Sequence, residues 1–479
     1  MNNRKPKQTT GRFWAVSVAL LFLNCAQFAC ADDRPNVIVI FTDDHGYADL
    51  SCQEVLPDVR TPNIDSLAVG GVRMTNGYIT APQCVPSRGG LLTGRYQNKF
   101  GLESNANYKS GGLDGFGDAI TIVERLKKAG YATGMAGKWH LGQPTKIPSH
   151  GFDKVFAKNA NRPGVANFDL DGKDVPLGPE STGLYHLDAC SAAASAFITR
   201  FKDQPFFFYL AYRAPHVPLD APKKYLDRFP GKMPERRRKA LAMMSAVDDG
   251  VGHVMETLRK HDLEENTLIF FISDNGAPLK IHKKDAPGIG AGWDGSLNDP
   301  LNGEKGTLME GGIRTPFVMY WKTKLPAGKA YDHPVISLDM AATVNALAGL
   351  EEDAQLDGVN LLPYLTGKKE EAPHEALYWR WIGQLAIRKG KWKYLALGDR
   401  EYLFNLEQDI AESNNLLAEN KKRAAELRAD WNKWSQTLNP PGVTDGSRGA
   451  GQNYFDWYLD GKRDIGRRDA DTSIRSTSD

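Results

Sequence analysis

The run Val37-Ile38-Val39-Ile40-Phe41 constrains this chain most, because consecutive β-branched and aromatic residues leave no polar face to turn toward water. Such a run fits a strand covered on both sides, the usual situation in a parallel sheet. It ends in Thr42-Asp43-Asp44-His45-Gly46. Further short strands are predicted over 131–136, 206–209, 267–272 and 315–320, with helical spacing over 119–128, 189–201 and 237–261. This alternation predicts an α/β fold with a large central mixed, mostly parallel sheet flanked by helices. Sheets of that kind place ligand groups at the carboxyl ends of their strands.

At 479 residues and 41% hydrophobic composition, the chain exceeds the size at which one core usually stops growing, so two unequal domains are expected. Beyond residue 368 the texture changes to short strands over 376–381, 385–388, 392–395 and 401–406, followed by a charged helix over 417–437. This predicts a smaller C-terminal α+β domain with a short antiparallel sheet. The expected organisation is a signal peptide over 1–31, a large domain over 32–370, the small domain over 371–440 and a partly disordered C-terminal extension over 441–479. The tail beyond about 463 has little to bury. The Pro/Gly-rich span 144–183 lacks periodicity and is expected to form surface loops.

The leader combines Arg4, Lys5, Lys7 and Arg12 with an apolar run over 13–23 and the small-residue site Ala29-Cys30-Ala31. A secretory signal cut after Ala31 accounts for all three features, against the alternative of an uncleaved anchor. Asn24 is a poor context for a lipoprotein cut at Cys25. The expected destination is periplasmic or secreted, with no integral membrane association after cleavage. Without those four basic residues the balance is 56 basic against 58 acidic, and nothing in it implies nucleic-acid binding. The run Arg236-Arg237-Arg238-Lys239 reads as a solvated helix face. Cys52, Cys84 and Cys190 remain in the mature chain, too few for a disulfide scaffold. Cys52 and Cys190 either pair or are simply buried, and nothing in the sequence sets an oligomeric state.

Asp43-Asp44 follows one buried strand and Asp274-Asn275 follows another. Carboxylates converging at neighbouring strand ends repel one another unless a cation sits between them. Three carboxylates and an amide oxygen form an all-oxygen set suited to a hard ion such as Ca2+, with Mg2+ as the alternative. Read singly, each pair is equally a turn former or helix cap. Asp248-Asp249 reads as a helix surface or cap, and His45 and His253 as structural.

The most specific segment is Cys84-Val85-Pro86-Ser87-Arg88-Gly89-Gly90-Leu91-Leu92-Thr93-Gly94-Arg95. Here the chain resembles the formylglycine-dependent sulfatases of the alkaline-phosphatase-like superfamily: Cys-x-Pro-Ser-Arg is the pattern their maturation enzyme reads, and Leu-Leu-Thr-Gly-Arg completes the longer signature. Similar segments recur in order at 36–44, 61–67, 137–142, 215–216, 273–276, 304–306 and 311–316. The resemblance covers roughly residues 34–410 and leaves the far C-terminal tail without a counterpart.

The resemblance implies that Cys84 is oxidised to Cα-formylglycine by that maturation enzyme, and that the aldehyde hydrate attacks sulfur. A covalent sulfate intermediate would then collapse without a second attacking water. Asp43, Asp44, Asp274, Asn275 and the modified Cys84 would hold one Ca2+. Arg88 would hold the hydrate; Lys138 and Lys305 would contact sulfate oxygens. His140 would act as the base for sulfate release, and His216 would bind sulfate and assist the leaving alcohol.

The implied function is hydrolysis of a sulfate ester, on sulfated carbohydrate. Alternatives are an arylsulfatase for small aryl sulfates, a phosphonate or phosphate ester hydrolase of the same superfamily and, in another class, a non-catalytic oxyanion-binding protein. The aromatic segments 378–381 and 392–394 serve either a sugar platform or the small-domain core. The stretches 162–185 and 279–302 are the expected sites of selectivity.

Overall fold

The computed structural model describes residues 1–3, 33–105, 116–158, 164–279, 293–441 and 448–462. Residues 4–31 of the expected leader and the polar tail from 463 lie outside the described residues, as does much of the 279–302 stretch. No described helix is long and apolar enough to cross a membrane.

Four parallel strands form the centre: β1 (Asn36–Asp43), β2 (Ala132–Lys138), β3 (Phe206–Pro215) and β4 (Thr267–Ser273). A fifth, β5 (Phe317–Tyr320), runs antiparallel to β4. From edge to edge the ten-stranded sheet runs Lys329–Tyr331, Val72–Met74, β5, β4, β1, β3, β2, Lys154–Lys158, Val165–Phe168, Asp174–Pro179.

The apolar run in β1 has a simple cause. Val37, Val39 and Phe41 face one core, while Ile38 and Ile40 face the other. Both faces are covered, so period-two alternation disappears and every residue of the strand is buried. Burying each such side chain stabilises the fold by about 1.5–3 kcal/mol. The first face is covered by helix α1 (Cys84–Thr93) through Val85, Leu91 and Leu92. The second is covered by α2 (His186–Arg200) and α3 (Glu235–Lys260), through residues such as Phe197, Val247 and Val254.

A second sheet of four antiparallel strands, Leu377–Trp381, Gln384–Lys389, Trp392–Leu397 and Arg400–Asn405, forms a meander. Helix α4 (Lys421–Ser435) supplies Ala424 and Leu427 to a small core with Ile387 and Leu403. The meander's other face, including Trp379, Leu395 and Phe404, joins the main core. Trp379, Trp381 and Tyr394 are buried, which assigns those aromatics to packing.

Two local expectations are corrected. The 144–183 span is not only loops: Lys154–Lys158, Val165–Phe168 and Asp174–Pro179 extend the large sheet. They are short and lie at the sheet's periphery, and the last is largely exposed, so no hydrophobic period marks them. Nor is 236–239 a uniformly solvated face. Arg237 is buried and forks onto Asp49 and Asp58, with Nη1 2.8 Å from Asp49 Oδ1 and Nη2 2.7 Å from Asp58 Oδ1. Asp248 is a cap, as read from sequence: it accepts the backbone N–H groups of Asn63 and Ile64 at the start of the Pro62–Gly70 helix. No disulfide joins Cys52 to Cys190.

Candidate active site at the strand ends

The four central strands run in one direction, so their carboxyl ends meet at one edge of the sheet. β1 ends at Asp43 and passes to Asp44; β2 ends at Lys138; β3 leads into His216; β4 leads into Asp274 and Asn275. Close approach of β2 and β3 requires Gly137, whose φ is 103° and where an added Cβ would lie 1.9 Å from the Ala211 carbonyl oxygen. That glycine fixes the position of the following Lys138.

Cys84 enters from above, as the first residue of α1. Its Sγ–H donates to Asp43 Oδ1 at 3.3 Å, and Lys305 Nζ donates to Sγ at 3.1 Å. The positive end of the α1 dipole favours negative charge at this position. Gln83 precedes the helix without capping it through its side chain; Asn105 Oδ1 accepts the Val85 N–H at 3.0 Å instead.

One turn later, the fully buried Arg88 spreads its guanidinium beneath the cluster. Nε and Nη2 donate to Asp274 Oδ2 at 3.1 and 2.7 Å, and Nη1 donates to the Lys138 carbonyl at 3.1 Å and to Tyr209 Oη at 3.3 Å. Lys138 Nζ donates to Asp43 Oδ2 at 2.6 Å, and Lys305 Nζ donates to Asp44 Oδ1. His216 Nε2 lies 3.6 Å from Asp44 Oδ2, while its Nδ1 is 2.6 Å from the Val217 carbonyl oxygen. His140 follows Trp139 with φ 60°, partly buried beside Lys138.

Ligand atoms of Asp43, Asp44, Cys84 and His216 all lie within 4.8 Å of one another. Asp274 Oδ1 accepts the Asp44 N–H at 3.1 Å, and Asn275 Nδ2 donates to Asp44 Oδ1 at 2.7 Å. Asn275 Oδ1 is buried without a hydrogen-bond partner among the described residues. An orphaned amide oxygen against three carboxylates fits a hard cation.

The titration behaviour agrees with a crowded, dry site. Burial opposes ionisation of Asp43, yet Lys138, His216 and Arg88 hold it well below the usual carboxylate range. Burial and then Asp43 push Asp274 upward. Three carboxylates buried this close repel one another even with Arg88, Lys138 and Lys305 beside them, and a divalent ion would relieve that repulsion. Burial, followed by Asp274, pushes the Cys84 thiol up to about 12, so an unmodified Cys84 is a protonated, weak nucleophile at neutral pH. Burial, with Lys138 and Arg88, keeps the His140 imidazole neutral.

All ten residues singled out from the sequence therefore converge on this edge. Sequence reasoning missed Asn105, which caps α1, and Tyr209, which supports Arg88. Neither sits in a recognisable motif, and an inward-facing tyrosine on a buried strand reads only as core.

Parallel strand ends that deliver carboxylates and Lys138 to a helix-borne cysteine, with Lys305 reaching in from a loop, are the arrangement of a metal-assisted hydrolase of anionic esters. The model of the family described as Sulfatase matches residues 35–350, and that described as N-sulphoglucosamine sulphohydrolase, C-terminal, matches 303–436. Arylsulfatase J of Mus musculus is 31% identical over 68% of this chain, a match that spans 55% of the mouse protein. An N-acetylgalactosamine-6-O-sulfatase of Bacteroides thetaiotaomicron is 30% identical, covering 82% of this chain and 92% of its own length. The crystal structure of Ps i-CgsB in complex with k-i-k-neocarrahexaose superposes with a TM-score of 0.75 at 32% identity, covering 88% of this chain and 97% of that one. The chain belongs to the formylglycine-dependent sulfatase family of the alkaline-phosphatase-like superfamily.

Proposed function

We propose that this protein removes sulfate from a sulfated carbohydrate at the strand-end cluster. The observation that carries the reading is the meeting of Cys84, at the N-terminus of α1, with the ends of four parallel strands inside a buried, ionically dense site. Asp43, Asp44, Asp274 and Asn275 Oδ1 are the groups that would hold one Ca2+ or Mg2+, together with position 84. Such an ion lowers the cost of negative charge on the attacking oxygen. Oxidation of Cys84 to formylglycine supplies an aldehyde hydrate, which can take up a sulfuryl group and release it again from one carbon.

The remaining work falls to this chain's own side chains. Arg88, Lys138 and Lys305 match the three carboxylates in charge, so an added divalent ion leaves a positive surplus for an anionic substrate. Lys138 and Lys305 stabilise charge on sulfate oxygens, and they are nearly dry, which strengthens that interaction. Arg88, gripped by Asp274, Tyr209 and the Lys138 carbonyl, fixes the floor on which residue 84 sits. His140, neutral by burial, takes a proton during sulfate release. His216, oriented through Nδ1 by the Val217 carbonyl, presents Nε2 toward sulfate and the leaving alcohol.

A carbohydrate substrate is supported by the two relatives whose names or bound ligand are carbohydrate, and by the leader, which points to a periplasmic or secreted protein matured by a formylglycine-generating enzyme. The test uses purified protein whose residue 84 is shown by mass to be modified, offered defined sulfated oligosaccharides beside the matching phosphate esters. Release of sulfate that stops on chelation and returns with Ca2+ is expected; preferential turnover of the phosphate esters would move the protein to another branch of the superfamily.

A further inference from the structure

The C-terminal extension is not an idle tail. Helix α5 (Arg448–Tyr458) lies beyond the end of both family matches, at 350 and 436, yet it packs against the core. Tyr454 and Phe455 are buried, and Phe455 meets Tyr402 edge-on at 5.6 Å. The helix and the turn after it are also tied down by charge: Arg400 pairs with Asp456 in the helix at 2.8 Å, and Tyr402 Oη donates to Asp460 Oδ1 in the turn at 2.7 Å.

What this helix touches is the loop that carries Lys305. Tyr458 Oη donates to Glu304 Oε1 at 2.7 Å, and Asn302 Nδ2 donates to the Tyr458 carbonyl at 3.2 Å. Tyr454 lies over Gly306, whose φ is 90° and where an added Cβ would stand 3.1 Å from the tyrosine oxygen. The residues before and after Lys305 are thus both in contact with α5.

The rest of the loop's moorings lead straight to the reacting groups. Gly306 N–H donates to the Pro82 carbonyl, two residues before Cys84, at 2.9 Å; Lys305 N–H donates to the Ala277 carbonyl, two residues after Asn275, at 3.2 Å. Glu304 Oε2 accepts the Leu279 N–H at 2.5 Å, so the carboxylate that holds Tyr458 also holds the chain leaving the β4 end. Gln384, from the small sheet, brackets the far side by donating to the Gly306 carbonyl at 3.1 Å and accepting the Leu308 N–H at 2.8 Å.

We infer that α5 is a strap that sets the position of Lys305, with Tyr458, acting through Glu304, and Tyr454, packed on Gly306, as positioning residues for sulfate transfer. This rests on the proposed role of Lys305 at the sulfate. Lysine has a long flexible stem, and its charge is useful only where the backbone beneath it is fixed; small displacements of a positioned group cost large factors in rate. Removing the Tyr458 hydroxyl takes one charge-assisted donor from Glu304 Oε1, a change worth roughly tenfold.

The experiment is a kinetic double-mutant cycle on the full-length protein, with modification of residue 84 confirmed in every variant and turnover assayed on an activated aryl sulfate and a sulfated oligosaccharide. Tyr458→Phe is expected to lower kcat about tenfold with KM nearly unchanged in the otherwise wild-type protein, and to have no further effect in a Lys305→Ala background. A merely structural role would lower the unfolding temperature and the active fraction equally in both backgrounds. Unchanged kcat in Tyr458→Phe, or the same fold-loss with and without Lys305, overturns the inference. Tyr454→Phe, which keeps the ring on Gly306, serves as the conservative control and is expected to lose less than Tyr458→Phe; a larger loss also counts against it. A wild-type protein inert toward every sulfate ester would instead sink the functional reading, so the two failures are distinguishable.

Discussion

Of the buried ionic clusters among the described residues, two are built to opposite ends. At the strand ends, three carboxylates face Arg88, Lys138 and Lys305 around a cysteine, with an amide oxygen left over. Behind the same stretch of chain, Lys393 Nζ sits between Glu310 Oε1 and Glu412 Oε1, 2.8 Å from each, all fully buried or nearly so. Tyr78 Oη donates to Glu310 Oε2 at 2.7 Å, Arg314 lies 3.4 Å from it, and Glu412 Oε2 accepts the Glu310 N–H at 2.7 Å. The second cluster meets its charges internally and ties the small sheet to the segment after Lys305. The first pairs its three cations with its three carboxylates but leaves the Asn275 amide oxygen over, directed at the point where the ligand atoms converge. Burial and ionic density are shared; what separates a catalytic cluster from a structural one is whether its groups are used up on one another.

The two clusters differ most in what the loss of one side chain does, and the largest effect falls at residue 84. Cys84→Ala is expected to lower turnover by ~10⁴-fold or more while far-ultraviolet circular dichroism and the unfolding transition stay close to wild type. Next comes Lys393→Met, which leaves two carboxylates without the ammonium between them; denaturant unfolding should show a loss of about 3–5 kcal/mol, with KM of the folded fraction unchanged. Lys305→Ala should cost roughly 10²–10³ in kcat, read from steady-state kinetics on an oligosaccharide substrate.

The smallest effect is a pH dependence. Burial, only partly offset by Lys393 and reinforced by Glu310, pushes Glu412 up to about 7, above the value of an unfolded glutamate. The native state therefore holds a proton that the unfolded state has already lost, and this contribution to stability is present at low pH and lost as pH rises from about 4.5 through 7. Glu412→Gln removes that dependence. Its stability relative to wild type should improve by about 1 kcal/mol or more between pH 5 and pH 8, measured by denaturant unfolding at each pH. A flat difference would show that the cluster takes up no proton.

These two clusters also differ in how far they were legible in the sequence. Lys138, His140, His216 and Lys305 were legible only through the resemblance to sulfatase segments, whereas Asp43-Asp44 and Asp274-Asn275 each follow an apolar run directly and the dodecamer from Cys84 is contiguous. The central sheet was legible for the same reason: β1 and β4 are unbroken apolar runs. Glu310, Lys393 and Glu412 come from three distant segments and meet only through tertiary packing. Tyr458 and Asn105 belong to the same class, since a hydroxyl or amide that supports a loop leaves no periodic mark. The peripheral strands between 154 and 179 were missed because each is short: the first buries Val155, Phe156 and Ala157, and the last is largely exposed, so neither gives a run long enough to read as a period. The inward turn of Arg237 depends on Asp49 and Asp58, which no local pattern links to it.

Everything in the proposed reaction depends on a chemically altered residue 84, held where four strands end. The most direct test is the mass of the peptide containing residue 84, isolated from protein whose specific sulfatase activity has just been measured. Formylglycine in proportion to activity across preparations is the predicted result; a fully active preparation carrying an intact cysteine thiol at that position would contradict it.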